Sequence, residues 1–312
     1  MFTSKKIMSL CMTVLSAAVI TGCGVGGGTN PDGKIFFASH DKPVNITEQI
    51  FEGIQKPAQA DGREVEFQNS DGNANLQVDQ VNAMIAEKPA AIVLLAVDGD
   101  TIVPAVKKAN EAGIPVIATN RDVNGGKFTN VINDEKQAGR LPGEYMAKHL
   151  TQGATVVYLS GDMGISCAED RWKGFKEACL DKRPDITLLA KSPSGDWSEA
   201  DGIKNLTLWL SMFPKIDAVV SGNDNMALGA IMALKAAGRF DGVLVSGIDA
   251  TEPALKSIAA GEMAQSIKQD ADRVGATIYE LIKDIKNGKA PSEDNVLVPM
   301  ISITKDNLAQ FK

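Results

Sequence analysis

From Lys34 onward the chain alternates short apolar runs with longer stretches of helical period, and this alternation carries most of the structural information. Residues 34–39, 63–68, 91–96 and 115–119 read as strands, with helices expected over about 44–60, 74–87 and 101–112 between them. The run Ala91-Ile92-Val93-Leu94-Leu95-Ala96 is apolar at every position, as a strand covered on both faces requires. A long helix over about 135–150 follows, and the pattern then restarts. Strands are expected at 155–159, 186–190, 218–220 and 243–245, with helices beginning near Ala168, Ser198, Asn225 and Glu252. Two successive βα series predict an α/β protein of two doubly wound parallel-sheet lobes.

Polar residues collect at one recurrent place, directly after a strand and before the next helix. Thr119-Asn120-Arg121, Ser221-Gly222-Asn223-Asp224 and Gly247-Ile248-Asp249 all stand there. In open α/β sheets ligands bind outside the carboxyl ends of the strands, so these loops are the expected site. Asn and Asp in such positions also cap helices. Capping is the expected role of Asp224, whereas Asn223, one step nearer the strand, is expected to face the cleft.

The N-terminus changes the setting of this fold. Lys5 and Lys6 precede an uncharged stretch from Ile7 to Ile20, too short for a membrane span, which takes roughly 20 apolar residues. It ends at Ile20-Thr21-Gly22-Cys23, which resembles the bacterial lipobox and implies lipidation of Cys23. Residues 1–22 are then a lipoprotein signal peptide and 23–33 a Gly-rich tether. The spaced glycines of the tether follow a cleavage site rather than a strand, which excludes a nucleotide loop.

Two of the 32 basic residues leave with the signal, so the net charge falls from −7 to −9. No basic patch suits nucleic acid. Cys11 leaves and Cys23 takes the lipid; Cys167 and Cys179 are placed along one helix, roughly 18 Å apart. A disulfide needs Cα atoms within about 7 Å, so both are expected as free thiols. His40 and His149 are the only histidines, without neighbours at ligand spacing, so neither a metal nor another cofactor is expected.

Three segments resemble the periplasmic ribose- and galactose-binding proteins of ABC import systems, which share their fold with the LacI-type repressor core. They are Arg171-Trp172-Lys173-Gly174-Phe175, Ser221-Gly222-Asn223-Asp224-Asn225-Met226-Ala227-Leu228-Gly229-Ala230 and Val245-Ser246-Gly247-Ile248-Asp249-Ala250-Thr251-Glu252-Pro253. The resemblance covers about Lys34 to Phe311 and implies the type I periplasmic-binding fold, two lobes closing on ligand like a hinged clamp. Its crossings fall near Asn133, Gln269 and Pro299, giving a first lobe of 34–133 plus 270–298 and a second of 134–268 plus 299–312.

The resemblance also implies the site. Asn120 and Arg121 match a polar–basic pair on the first lobe, Arg171 an arginine reaching from the second, and Trp197 an aromatic stacking on a sugar face. Asn223 and Asp249 match hydroxyl-binding residues, Gln269 a polar residue at a crossing, and Asn45 is a further candidate in the first loop. Carboxylate, amide and guanidinium groups each engage two hydroxyls, and an indole covers the apolar face of a sugar ring. Simpler roles exist: Trp197 as a core residue, Arg171 as the partner of Glu169 or Asp170, and Asp249 as a helix cap. The loop His40-Asp41-Lys42-Pro43-Val44-Asn45-Ile46-Thr47 lacks the aromatic that the ribose and galactose binders place there. This leaves pentoses, deoxy sugars, cyclic polyols and furanosyl signalling molecules open; Ile46 or His40 could cover the second face.

The implied function is a lipid-anchored, monomeric substrate-binding protein serving an ABC permease. It would sit on the periplasmic side of a membrane, or on the outer face of a single-membrane cell. The alternative is a sensor presenting its ligand to a chemoreceptor or kinase. An enzyme is not expected: no serine occupies a nucleophile elbow, and no phosphate loop carries a lysine.

Overall fold

The computed structural model describes residues 33–42, 46–161, 166–193, 197–289 and 294–311. The chain begins with β1 (Ile35–Ser39), α1 (Ile46–Ala60), β2 (Val65–Asn69), α2 (Ala74–Ala86), β3 (Ala91–Leu94), α3 (Val103–Glu111), β4 (Val116–Ala118) and β5 (Thr129–Asn133). It then passes through α4 (Glu135–His149), β6 (Thr155–Ser160), α5 (Ser166–Phe175), β7 (Thr187–Pro193), α6 (Glu199–Met212), β8 (Ala218–Ser221), α7 (Asp224–Ala236), β9 (Leu244–Ile248), α8 (Glu252–Ala260) and β10 (Gln265–Lys268). It ends with α9 (Ala271–Lys286), β11 (Asn295–Val298) and β12 (Ile301–Thr304).

These strands form two six-stranded sheets, ordered β11-β5-β4-β3-β1-β2 and β12-β10-β9-β8-β6-β7. Every pairing in the first is parallel. The second departs from an all-parallel sheet at one edge, where β12 runs antiparallel to β10. Its register Gln265↔Thr304 to Lys268↔Ile301 arises because β12 enters from the other lobe rather than through a helical crossover.

Each sheet is covered on both faces, and side chains alternate between two cores. In β1, Ile35 and Phe37 pack with Ile50 and Ile54 of α1 and Val274 and Ile278 of α9. Phe36 and Ala38 point the other way, onto Met84 of α2 and Val106 of α3. In the second lobe Val157 and Leu159 of β6 face Leu206, Met226 and Leu234, while Val156 and Tyr158 face Met146 and Phe175. Each buried Val, Leu, Ile, Phe or Met among them contributes about 1.5–3 kcal/mol by removal from water, which fixes strand register against a one-residue slip.

The chain passes between the lobes at residue 134, at 269–270 and at 299–300. These passages are tied to one another. Asp134 N donates to Val298 O at 3.0 Å, Met300 N to Gln137 Oε1 at 2.5 Å, and Asn133 Nδ2 to Gln269 Oε1 at 3.3 Å. Cys167 lies in α5 and Cys179 in the π-helical turn Lys176–Leu180 that continues it; both are free thiols.

Candidate functional site

The second lobe brings five of the candidate residues into one connected cluster. It starts with a close crossing of α4 and α5. A Cβ on Gly139 would lie 1.7 Å from Arg171 O, and one on Gly174 would lie 2.0 Å from Lys136 O. Only glycine lets the two backbones meet this closely, and the crossing sets the base of Arg171 against the first turn of α4. Arg171 Nε donates to Glu135 Oε2 at 2.6 Å and its Nη1 to Gly222 O at 2.7 Å. Its partner is therefore Glu135, not Glu169 or Asp170. Arg171 is 5% exposed. Burial opposes its charge, but Glu135, by charge and hydrogen bond, and then Asp249 outweigh it and hold the guanidinium firmly protonated.

Asp249 follows β9 with a φ of 115°, and its Oδ1 accepts from Gln269 Nε2 at 2.9 Å. Gln269 accepts in turn from Asn133, so a hydrogen-bonded chain runs from the end of β5 through a passage between the lobes to this carboxylate. Burial raises the carboxyl of Asp249 above its ordinary range; Arg171 and Gln269 pull it down, and Glu135 adds to the rise.

Trp197 stands just before α6, with a φ of 59°. A Cβ on Gly161 would fall 1.8 Å from its Cζ2, so the glycine after β6 is what admits the indole. The Arg171 guanidinium lies 5.7 Å from the ring centre, within cation–π range. The indole also packs, half-buried, against the second-lobe core.

The cap expected at Asp224 falls instead on Asn223, and Asp224 takes a third role. Asn223 is the N-cap of α7: its Oδ1 accepts from Met226 N at 3.0 Å, and its Nδ2 donates to Trp197 O at 2.8 Å. Asp224, fully buried, reaches Ser266 and Thr251 instead. Likewise Asp249 caps nothing, because Thr251 is the N-cap of α8.

The first lobe is different in kind. Asn120, with a φ of 58°, and Arg121 both follow β4 and are exposed. Across the sheet, after β1, His40 Nδ1 lies 3.1 Å from Asp41 Oδ1 but outside hydrogen-bond geometry. Burial and then the nearby Arg121 charge lower the pKa of His40. Asn45 and Cys23 fall outside the described residues. Among the described residues no group of three or more His, Cys, Asp and Glu side chains is placed to hold a metal ion, and no helix is long and apolar enough to cross a membrane.

Two participants have no local signature. Glu135 reaches Arg171 across 36 positions, and Asn133 reaches Gln269 across 136. An acidic residue at the start of a helix looks like ordinary dipole complementation.

Comparison with known proteins agrees with this architecture. Residues 35–290 match the model of the periplasmic binding protein domain. The chain is 33% identical to the xylitol-binding protein of Mycolicibacterium smegmatis over 98% of its length and 87% of that protein's. It is 32% identical to the ribose import binding protein of Salmonella typhimurium over 91% of its length and 94% of that protein's. The crystal structure of a periplasmic ribose ABC transporter from Conexibacter woesei superimposes with a TM-score of 0.81 at 25% identity, covering 92% of this chain and 96% of that one. With two α/β lobes, three passages between them and polar strand-end loops, the chain belongs to the periplasmic binding protein family, whose members bind substrates rather than transform them.

Proposed function

We propose that the protein is the substrate-binding component of an ABC importer and captures a neutral monosaccharide or polyol between its lobes by hinge closure. The cluster of buried Arg171 with half-buried Glu135, Asp249 and Gln269, beneath the indole of Trp197, carries this reading. Two donor hydrogens of the guanidinium are committed inside the protein; the remaining three suit ligand hydroxyls. The carboxylate of Asp249 accepts from a further pair, and the indole supplies an apolar face. Asn120 and Arg121 close over the ligand from the first lobe, with Asn45 a further candidate there by resemblance, while Asn223 contributes from the second. The similar proteins named for ribose and xylitol favour a five-carbon sugar or polyol.

The reading extends to the anchor. Cleavage before Cys23 leaves a lipidated monomer on the outside of a membrane, tethered by residues 23–33. Calorimetry against pentoses, hexoses and linear and cyclic polyols tests the ligand. One member should bind far more tightly than the rest, and Asp249→Ala should weaken it by roughly 30-fold or more, the scale for unpairing a buried charge. Retention of affinity within twofold would remove Asp249 from the site. Metabolic labelling with an alkynyl fatty acid tests the anchor: the wild type should be labelled and Cys23→Ala should not.

A further inference from the structure

Two consecutive residues after β9, Asp249 and Ala250, hold φ values of 115° and 52°, a region L side chains rarely adopt. Neither is glycine, so something outside the turn must hold it there. Three backbone donors are fixed in sequence. Asp249 N donates to Ile267 O at 2.7 Å, Ala250 N to Ser266 Oγ at 3.0 Å, and Thr251 N to Asp224 Oδ2 at 2.8 Å.

The last two bonds converge on one side chain. Ser266 Oγ, having accepted from Ala250, donates its own hydrogen to Asp224 Oδ1 at 2.6 Å. Thr251 Oγ1 donates to Asp224 Oδ2 at 3.2 Å. Both carboxylate oxygens are thus spent on the turn that carries Asp249. Asp224 and Ser266 are each fully buried, so neither meets solvent or a ligand in the cleft. Capping of α8 would account for the bonds to Thr251, but not for the arm through Ser266 to Ala250.

From this geometry we infer that Asp224 is a positioning residue for ligand binding: it holds the left-handed turn at residues 249–250 and thereby aims the carboxylate of Asp249 into the cleft. The inference rests on the proposed binding role of Asp249. It adds a residue at the head of α7 that acts only through another side chain. An acceptor-only carboxylate is the group this place requires, because three hydrogens point at it and the amide of an asparagine offers only one oxygen.

The test combines Asp224→Asn with Asp249→Asn, and uses Ser266→Ala as a milder variant that leaves Asp224 intact. In calorimetry at pH 8 with the best ligand of the panel, Asp224→Asn should weaken binding at least tenfold in the wild-type background. In the Asp249→Asn background it should change affinity by less than twofold. Ser266→Ala should show the same dependence on background with a smaller loss. Equal losses in both backgrounds would mean a general structural effect and would overturn the inference.

Amide hydrogen exchange on the ligand-free protein gives a readout independent of any sugar. The amides of Ala250 and Thr251 should exchange at least tenfold faster in Asp224→Asn and in Ser266→Ala, with those of residues 35–39 unchanged. Unchanged exchange at 250–251 would overturn the brace. Faster exchange there, in a protein that binds no member of the panel, would leave the brace standing and sink the importer reading instead.

Discussion

The two lobes share a strand order but not a state of readiness. In the second, Arg171, Asp249 and Gln269 are joined to Glu135 and Asn133 by hydrogen bonds of 2.6 to 3.3 Å, and Trp197 is held between two of its neighbours. In the first, Asn120 and Arg121 stand exposed at the end of β4. Groups already fixed lose little freedom when a ligand arrives, whereas an exposed arginine loses about 0.5–1.5 kcal/mol of side-chain entropy on being immobilised. The difference points to a division of labour under the proposed function: the second lobe selects, and the first closes.

Substitutions on each side test that division, and the largest effect belongs to Arg171→Ala. It leaves Glu135 and Gly222 O without their partner and removes the cation beneath the indole, so ligand affinity should fall by about 2–5 kcal/mol in calorimetry. Gly161→Ala comes next. Its methyl group would occupy the place of the indole edge, and displacing Trp197 should weaken binding roughly tenfold, which is about 1.4 kcal/mol. Arg121→Ala should cost less, about three- to tenfold, with the loss appearing mainly in the dissociation rate measured by stopped flow. A loss from Arg121→Ala equal to that from Arg171→Ala would break the comparison.

Titration separates the lobes by sign. Burial pushes the carboxyl of Asp224 in the second lobe up to about 7, with the Asp249 charge adding to the rise. The unfolded chain ionises this group near 3.8, so between pH 4 and 7 the folded state binds more protons and stability falls as pH rises. His40 in the first lobe has the opposite sign. Its folded pKa lies below 6.5, so the stability it supports is complete above that value and falls as pH drops below it. Melting curves of Asp224→Asn and His40→Asn, each subtracted from wild type across pH 4 to 8, should slope in opposite directions. The His40 curve is expected to be the shallower.

The repeating βα pattern was readable because its signals are local. The continuous apolar run at 91–96 became β3 and its end, and the starts expected near Asn225 and Glu252 fell within one residue of α7 and α8. The segments between the lobes were harder. β10, β11 and β12 have four residues each and are defined by partners far away in the chain, Thr304 for Gln265 and Asn130 for Asn295, so they carry no periodic signature of their own.

Strand-end placement and family resemblance pointed to residues that the fold gathers into the second-lobe cluster, but not to their bonding. The shift of the cap from Asp224 to Asn223 turned on one step of helix phase. Asn223 holds an extended φ of −152° and is the cap; its neighbour already points inward. No propensity rule distinguishes two good capping residues in succession. Glu135 stayed hidden because its partner lies on another helix, brought close only by the glycines of the crossing.

The chain of bonds from Asn133 through Gln269 to Asp249 has a mechanical meaning. Under the proposed function, it places the recognition chemistry at the fulcrum of the two lobes rather than at their tips. Displacement near a fulcrum is geared up with distance, so a small shift at Asp249 would become a larger sweep at the far ends of the lobes. A membrane partner gripping those ends would read occupancy from the spacing between them, without touching the sugar.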